Sequence, residues 1–324
     1  MLYVSFPSHP KAYPSNCNWW SQITHFVYNG LKSTYKNVEF INFNAIKPMG
    51  EKDILITFVP HAMMEKTKRV ITVDNCSFDA DKWNYGEFRK YGLHEPIDNH
   101  KHIYDHYLDG VLGTIFLSND VAIEKWNNND PEIMEKKTWY TSHIKDTFVM
   151  LHPIDKDLFS RGFNIEMFPA DTRMLIYHAG QRKNSQQLID LMTRLGYKNF
   201  DVVGHVDKQK KNLILSMLNQ YHIIANCSYS ETGPINMIEY MIQGFLVYGH
   251  EDWWSGYGDK RFCWSYDPAR IDEMAENIKF IMDKNNLEYI KDLRLKIWSY
   301  NMNRRDNEWA LTLAKLKEMI DKNL

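Results

Sequence analysis

The chain has 324 residues, 44% apolar and 25% charged, with 39 Lys and Arg against 41 Asp and Glu and a formal charge of -2. That balance excludes a uniformly basic nucleic-acid coat and an acidic tail protein, although a local basic patch is compatible with it. The apolar share suffices for a packed core, and at roughly 100 to 200 residues per domain the length predicts two domains.

Read in chain order, short β-rich runs alternate with helical patterns, the sign of parallel strands joined by crossover helices. Residues 2–7 predict a first strand, and Trp19 to Leu31 repeats apolar residues at helical spacing. Strands follow at 37–43, 53–59, 69–75 and 113–119, then a helix opening with VAIEKW and a strand at 147–153. After Pro169 the pattern restarts. Strands are predicted at 174–180, 200–206, 222–228 and 245–249, with helices at 186–196, 211–220 and 234–244 between them. Asp272 to Leu324 is mostly helical, with Ile278, Ile281, Leu293, Ile297, Trp309, Leu313 and Leu316 along its apolar face. The expected fold class is therefore α/β, with two Rossmann-like, doubly wound domains and a linker near 160–172. Two such domains place ligands in a cleft outside the carboxyl ends of their strands.

Cys17, Cys76, Cys227 and Cys263 are far apart and form no CxxC pair, so they read as reduced, partly buried thiols. The first residues lack the pattern of a secretory signal, and no run approaches the ~18 apolar residues that span a membrane. A cytoplasmic protein without stable membrane insertion is the expectation.

The most informative segment runs from Ser228 through Glu231, Thr232, Gly233 and Pro234 to Glu239. It begins where a buried strand ends, and Pro234 suits the first position of a helix because its missing N–H costs nothing there. Free amides just after Gly233 would favour an anion such as a diphosphate. Glu231 precedes this helix and Glu239 lies inside it, and each carboxylate can accept two hydroxyls. The alternative is an ordinary helix start with two solvated glutamates.

This segment resembles the Glu, seven residues, Glu motif of retaining glycosyltransferases with the GT-B fold, of the glycosyltransferase family 4 type. The resemblance implies that Glu231 binds the donor sugar, Glu239 binds the ribose, Thr232 and Gly233 present amides to the phosphates, and Pro234 and Asn236 belong to the same donor site. His178 to Asn184 is similar to the loop that grips the donor diphosphate in that family, with Gly180, Arg182 and Lys183 as its counterparts. It departs in length and in carrying Gln181 where the family has Arg. Gly204 and His205 correspond to the position beside the nucleotide base, and Leu151 to Phe159 to the family's interdomain strand. Together these cover roughly residues 148 to 250 in the family's order.

Residues 1–165 match only in the order of their elements. The resemblance makes them an acceptor-side domain and 166–302 the donor domain, with a C-terminal helix of about 303–324 packing back on the first. The family's Gly-Gly loop is replaced by Ser8 to Asn16, so Ser8, His9 and Asn16 are candidate acceptor contacts; a capped turn explains Asn16 equally well. Asp74 matches a family residue near the transferred sugar, or serves as a turn residue. His94, His100, His102, Asp105 and His106 look like a metal cluster, but solvated histidines are the favoured reading and no metal or other cofactor is expected. Trp19, Trp20, Trp253 and Trp254 are candidates for stacking on a ligand.

The reaction the resemblance implies is sugar transfer from a nucleotide-diphosphate donor, expected to be a UDP-sugar, to an acceptor hydroxyl with retention. A short, Asn- and Lys-rich, ring-rich chain has the style of a viral or phage gene, which makes a hydroxymethylated base in phage DNA a second expected acceptor. The rival from another class is a non-catalytic nucleotide-sugar-binding module.

Overall fold

The computed structural model describes residues 1–15, 19–42, 49–58, 69–74, 108–131, 133–155, 157, 167–178, 185–204, 220–228, 235–251, 254–304 and 307–324. They fall into two compact units, one of Met1–Asp81, Ile97–Ile154 and Asn307–Leu324, the other containing Asp155–Asp306.

In the first unit β1 (Leu2–Ser5), β2 (Val38–Phe40), β3 (Ile54–Thr57), β4 (Val70–Asp74), β5 (Val111–Ser118) and β6 (Asp146–Leu151) form one parallel sheet in the order β2-β1-β3-β4-β5-β6. The ILIT of β3 and VITVD of β4 are buried throughout, as central strands covered on both faces must be. Helix α1 (Trp19–Lys32) lays Ile23, Val27 and Leu31 on the core at four-residue spacing. Helix α2 (Asp120–Asn127) is started by Asn119, whose Oδ1 accepts the Ala122 N–H at 2.8 Å. Helix α3 (Met134–His143) buries little beyond Tyr140.

The second unit is built the same way. Strands β7 (Met174–Tyr177), β8 (Phe200–Val203), β9 (Ile223–Asn226), β10 (Leu246–His250) and β11 (Cys263–Trp264) pair in parallel in the order β11-β10-β9-β7-β8. Helix α4 (Gln186–Arg194) buries Leu188, Leu191 and Met192 along one face. Helix α5 (Ile235–Ile242) is buried at every residue from Met237 to Ile242, so that stretch runs through the core. It ends at Gly244, whose φ of +83° is the left-handed conformation that closes helices and that glycine adopts without strain. Helices α6 (Ile271–Met282) and α7 (Leu287–Arg304) complete the unit. Buried Arg294 on α7 donates to the carbonyl of Gly244 and, at 2.7 Å, to that of Met167, tying the end of α5 to the chain entering the unit.

Helix α8 (Glu308–Asp321) belongs to the first unit, where Leu316, Met319 and Ile320 join its core. A Cβ on Gly113 of β5 would run into Met319 Sδ and come within 3.1 Å of the Asp146 carbonyl, so the close seat of the helix on the sheet favours glycine there.

The predicted strands are present, most of them shorter, with β1 ending at Ser5 and β7 at Tyr177, while β5 begins earlier than expected, at Val111, and β10 runs on to His250. The helix expected at 211–220 lies outside the described residues. Cys227 and Cys263 are free, buried thiols, and burial pushes both pKa values up, that of Cys263 to about 12.

Candidate functional site

Open parallel sheets bind ligands outside the carboxyl ends of their strands, where the strand order reverses direction. In the second unit that point lies between β7 and β9. Two segments leave there: residues from His178 to the start of α4, and residues from Ser228 to the start of α5.

The stems of the first segment are pinned to each other. His178 Nδ1 accepts the Ser185 N–H at 3.1 Å, and the buried Ser185 Oγ donates to the Tyr177 carbonyl at 2.8 Å. The His178 N–H in turn bonds the Val203 carbonyl at 2.8 Å, which fixes the strand end against β8. A proton on Nε2 of His178 follows from Nδ1 acting as acceptor.

The second segment leaves a stem that is equally fixed. Asn226 Oδ1 accepts the Ser228 N–H at 3.2 Å, and the Tyr266 hydroxyl donates to the Cys227 carbonyl. Tyr266 stacks on His250, at the end of β10, with ring centroids 5.1 Å apart. Past the segment, α5 carries Glu239 in its second turn with 1% of its surface exposed. Its neighbour Tyr240 is held protonated, first by burial and then by the Glu239 charge, which both push the phenol pKa up. Glu239 is therefore not a solvated helix-face glutamate. A buried carboxylate needs hydrogen bonds or a positive partner to remain charged.

The other expected residues are distributed as follows. Asn236 lies in the first turn of α5. Gly204 is exposed just after β8, where an added Cβ would meet only the His178 carbonyl at 3.8 Å, so no close approach demands glycine there. Asp74 ends β4, fully buried and in register with Phe116 of β5. Ser8 and the exposed His9 follow β1, and β1 and β3 flank the reversal of strand order in the first sheet. Glu231, Thr232, Gly233, Pro234, Gly180, Arg182, Lys183, His205 and Asn16 lie outside the described residues. So do His94, His100, His102, Asp105 and His106.

Among the described residues no group of three or more His, Cys, Asp or Glu is placed to hold a metal ion, and no helix is long and apolar enough to cross a membrane. Of the candidate stacking rings, Trp254 is buried, edge-on to Tyr257 at 4.6 Å, and Tyr257 in turn accepts the Val247 N–H at 2.8 Å. Trp254 is thus packed into the core beside β10, with the half-buried Tyr257 against it. Trp20 stands edge-on to Phe58 at 4.3 Å, while Trp253 and the Trp19 side chain lie outside the described residues. Sequence reasoning passed over Ser185 and Tyr266. The signal for Ser185 was its place immediately before a helical run; Tyr266 gives no local signal.

No protein-family model matches the sequence, and no curated protein matches it significantly. Solved structures do match it. Sucrose-phosphate synthase from Thermosynechococcus elongatus superposes with a TM-score of 0.60 at 9% identity, over 100% of both chains. WaaG, a glycosyltransferase involved in lipopolysaccharide biosynthesis, gives 0.55 at 8% identity, over 97% of this chain and 98% of its own. The pneumococcal O-GlcNAc transferase GtfA, solved with UDP and GlcNAc, gives 0.50 at 14% identity over 85% of this chain. The match spans only 57% of the length of GtfA. The fold is GT-B. At these identities the likeness concerns the backbone path, and the chemistry has to be argued from this chain's own residues.

Proposed function

We propose that the protein is a glycosyltransferase that moves a sugar from a nucleotide-diphosphate donor, a UDP-sugar, to an acceptor hydroxyl with retention at the anomeric carbon. The observation that carries this reading is the convergence, at the β7/β9 reversal, of the pinned stems of two donor-type segments and the buried Glu239 of α5. The likeness to sugar-transferring enzymes of the same fold supports it.

In the proposed reaction the bond from the anomeric carbon to the diphosphate breaks while that carbon becomes oxocarbenium-like. Negative charge grows on the departing diphosphate. Amides at the start of α5, with Arg182 and Lys183, stabilise it, so the reading requires no metal or other cofactor. Glu231 holds the sugar hydroxyls and so fixes the face open to the acceptor. Glu239 accepts the ribose hydroxyls, Thr232, Gly233, Pro234 and Asn236 line the phosphates, and Gly180, Gly204 and His205 border the nucleotide. Asp74, Ser8, His9 and Asn16 of the first unit are assigned to the transferred sugar and acceptor.

The test is release of UDP from UDP-glucose, UDP-galactose and UDP-GlcNAc, with simple glycosides and hydroxymethylated DNA as separate acceptor arms. Glu231→Ala and Lys183→Ala are expected to abolish turnover while leaving the thermal unfolding midpoint unchanged. Full activity in either variant overturns the assignment, and nucleotide binding without any turnover would make the chain a binding module.

A further inference from the structure

The first unit carries a pocket of about 670 Å³ that belongs to neither donor segment. It lies along β2, the edge strand of the sheet, and is walled by the turn after β1, by one face of α1 and by β2 itself. The α1 residues His25, Tyr28 and Lys32 lie three and four positions apart and therefore share that face. The turn contributes His9 and Lys11, and β2 contributes Glu39 and Phe40.

The chemistry of the wall is mixed in a specific way. Phe40 stands edge-on to both His9 (5.1 Å, 72°) and Tyr28 (6.2 Å, 82°), so the rings form an angular aromatic wall. Lys32 reaches back over Tyr28, with Nζ 3.4 Å from the phenol oxygen and 5.4 Å from the ring centroid. Its ammonium is thus held at the pocket with no carboxylate partner among the described residues. His9 Nδ1 accepts the Lys11 N–H at 3.1 Å, which leaves the proton of the neutral ring on Nε2 as a donor. His25 Nδ1 lies 3.1 Å from the Pro10 carbonyl and accordingly carries the proton it donates there. The Asn29 amide oxygen supplies an acceptor.

Rings that take the C–H face of a sugar, donors and acceptors for its hydroxyls, and two ammonium groups together describe one ligand class. We propose that this pocket binds a saccharide bearing an anionic group, phosphate or carboxylate, with the sugar against Tyr28 and Phe40 and the charge on Lys11 and Lys32. Its volume is that of a small-ligand site, within the usual ~300 to 1,000 Å³. A nucleic-acid backbone fits less well, because it needs a continuous row of cations and the Glu39 carboxylate stands in the wall. The inference rests on the proposed function in one respect, that His9 is also assigned to the acceptor there; its experiment reads His9 and His25 in the first unit, whereas the transfer assay reads the donor segments of the second, so failure of one is told apart from failure of the other.

The experiment follows the His9 and His25 ring resonances of the ¹⁵N-labelled full chain by NMR. UDP is kept saturating so that no nucleotide site takes up the probe. Glucose 6-phosphate, glucuronate, glucose and inorganic phosphate are titrated in turn, with a single-stranded oligodeoxynucleotide as a fifth arm. At least one of the two anionic sugars is expected to shift both rings and to bind about five-fold more tightly than glucose or phosphate, the gain of a single exposed charge contact. Which of them does so distinguishes phosphate from carboxylate. The Lys11→Ala/Lys32→Ala variant, altered only at exposed side chains, should lose that advantage and keep the affinity for glucose. Phosphate binding as tightly as the sugar phosphate, tightest binding by the oligonucleotide, or unmoved His9 and His25 resonances with every probe would each overturn the proposal.

Discussion

Lowering the pH should destabilise the second unit through one residue, His222. The ring is buried between the chain entering β7 and the end of α6: Nδ1 accepts the Arg173 N–H at 2.8 Å, and Nε2 lies 2.9 Å from the Ile281 carbonyl, to which it donates. Protonation would let the ring donate to the Arg173 carbonyl as well, at 2.6 Å, but burial outweighs that gain and pushes the pKa down to about 4. The folded ring therefore stays neutral where the unfolded ring, with a pKa of about 6.5, takes up a proton. The unfolded state binds more protons between these values, so this contribution is complete above about pH 6.5 and fades as the pH falls toward 4. At pH 5 the loss relative to pH 8 is RT ln[(1 + 10^1.5)/(1 + 10^-1)], or about 2 kcal/mol, a large part of a total stability of ~5 to 15 kcal/mol. Urea unfolding of the wild type and His222→Gln across this range isolates the effect, because the other titrating groups are common to both. The wild type should be the more stable at pH 8 and lose about 2 kcal/mol of that margin by pH 5. A margin independent of pH, or a native-state His222 resonance that titrates near the ordinary histidine value, would refute the reasoning.

Three further outcomes are expected. Gly113→Ala should cost about 1 to 3 kcal/mol, because its methyl collides with Met319 and the Asp146 carbonyl and lifts α8 from the sheet; a change in the fluorescence of Trp309, stacked on Phe26 at 4.5 Å, reports it, and unchanged stability refutes it. Arg294→Met should destabilise the second unit by about 3 kcal/mol, since the carbonyls of Gly244 and Met167 lose a buried, charged donor; thermal unfolding that matches the wild type would show that the pair is satisfied otherwise. Glu239→Gln should weaken UDP binding roughly tenfold by calorimetry, and unaltered affinity removes Glu239 from the ribose.

The two-unit α/β fold is legible in the sequence because parallel strands buried on both faces leave continuous apolar runs, as in residues 54–57, 70–74 and 223–226. What escapes such reading is short or set by tertiary contact. The two residues of β11 show no period, and the mostly polar α3 has too small an apolar face to announce itself. The burial of Trp254 and Tyr257 depends on partners in β10 and on Phe262, so their rings read equally well as ligand platforms until the packing is known. At the site, the sequence orders the two segments after β7 and β9 but not the bonds that pin their stems: Ser185 and Tyr266 act through backbone carbonyls that only folding brings within reach.

Glu239 carries the step from scaffold to chemistry. Its helix, INMIEYMI, is apolar on either side of the carboxylate, and every residue from Met237 to Ile242 is buried. Packing alone would favour an apolar residue there, because even a well-paired buried carboxylate rarely stabilises a fold more than a hydrophobic side chain of similar size. The position lies in the helix that begins after the β9 segment, at the strand-order reversal where α/β sheets hold ligands. Under the proposed function a carboxylate at that place, costly to the core, serves the ribose hydroxyls of the donor. The same reasoning separates the two units. In the second, the proposed nucleotide-sugar site rests on a buried acid and on the residues Arg182, Lys183 and Glu231; in the first, the proposed charged-saccharide site rests on exposed Lys11 and Lys32 beside half-buried rings. A near-zero net charge conceals both arrangements, because the cations of each site are offset by acids elsewhere in the chain.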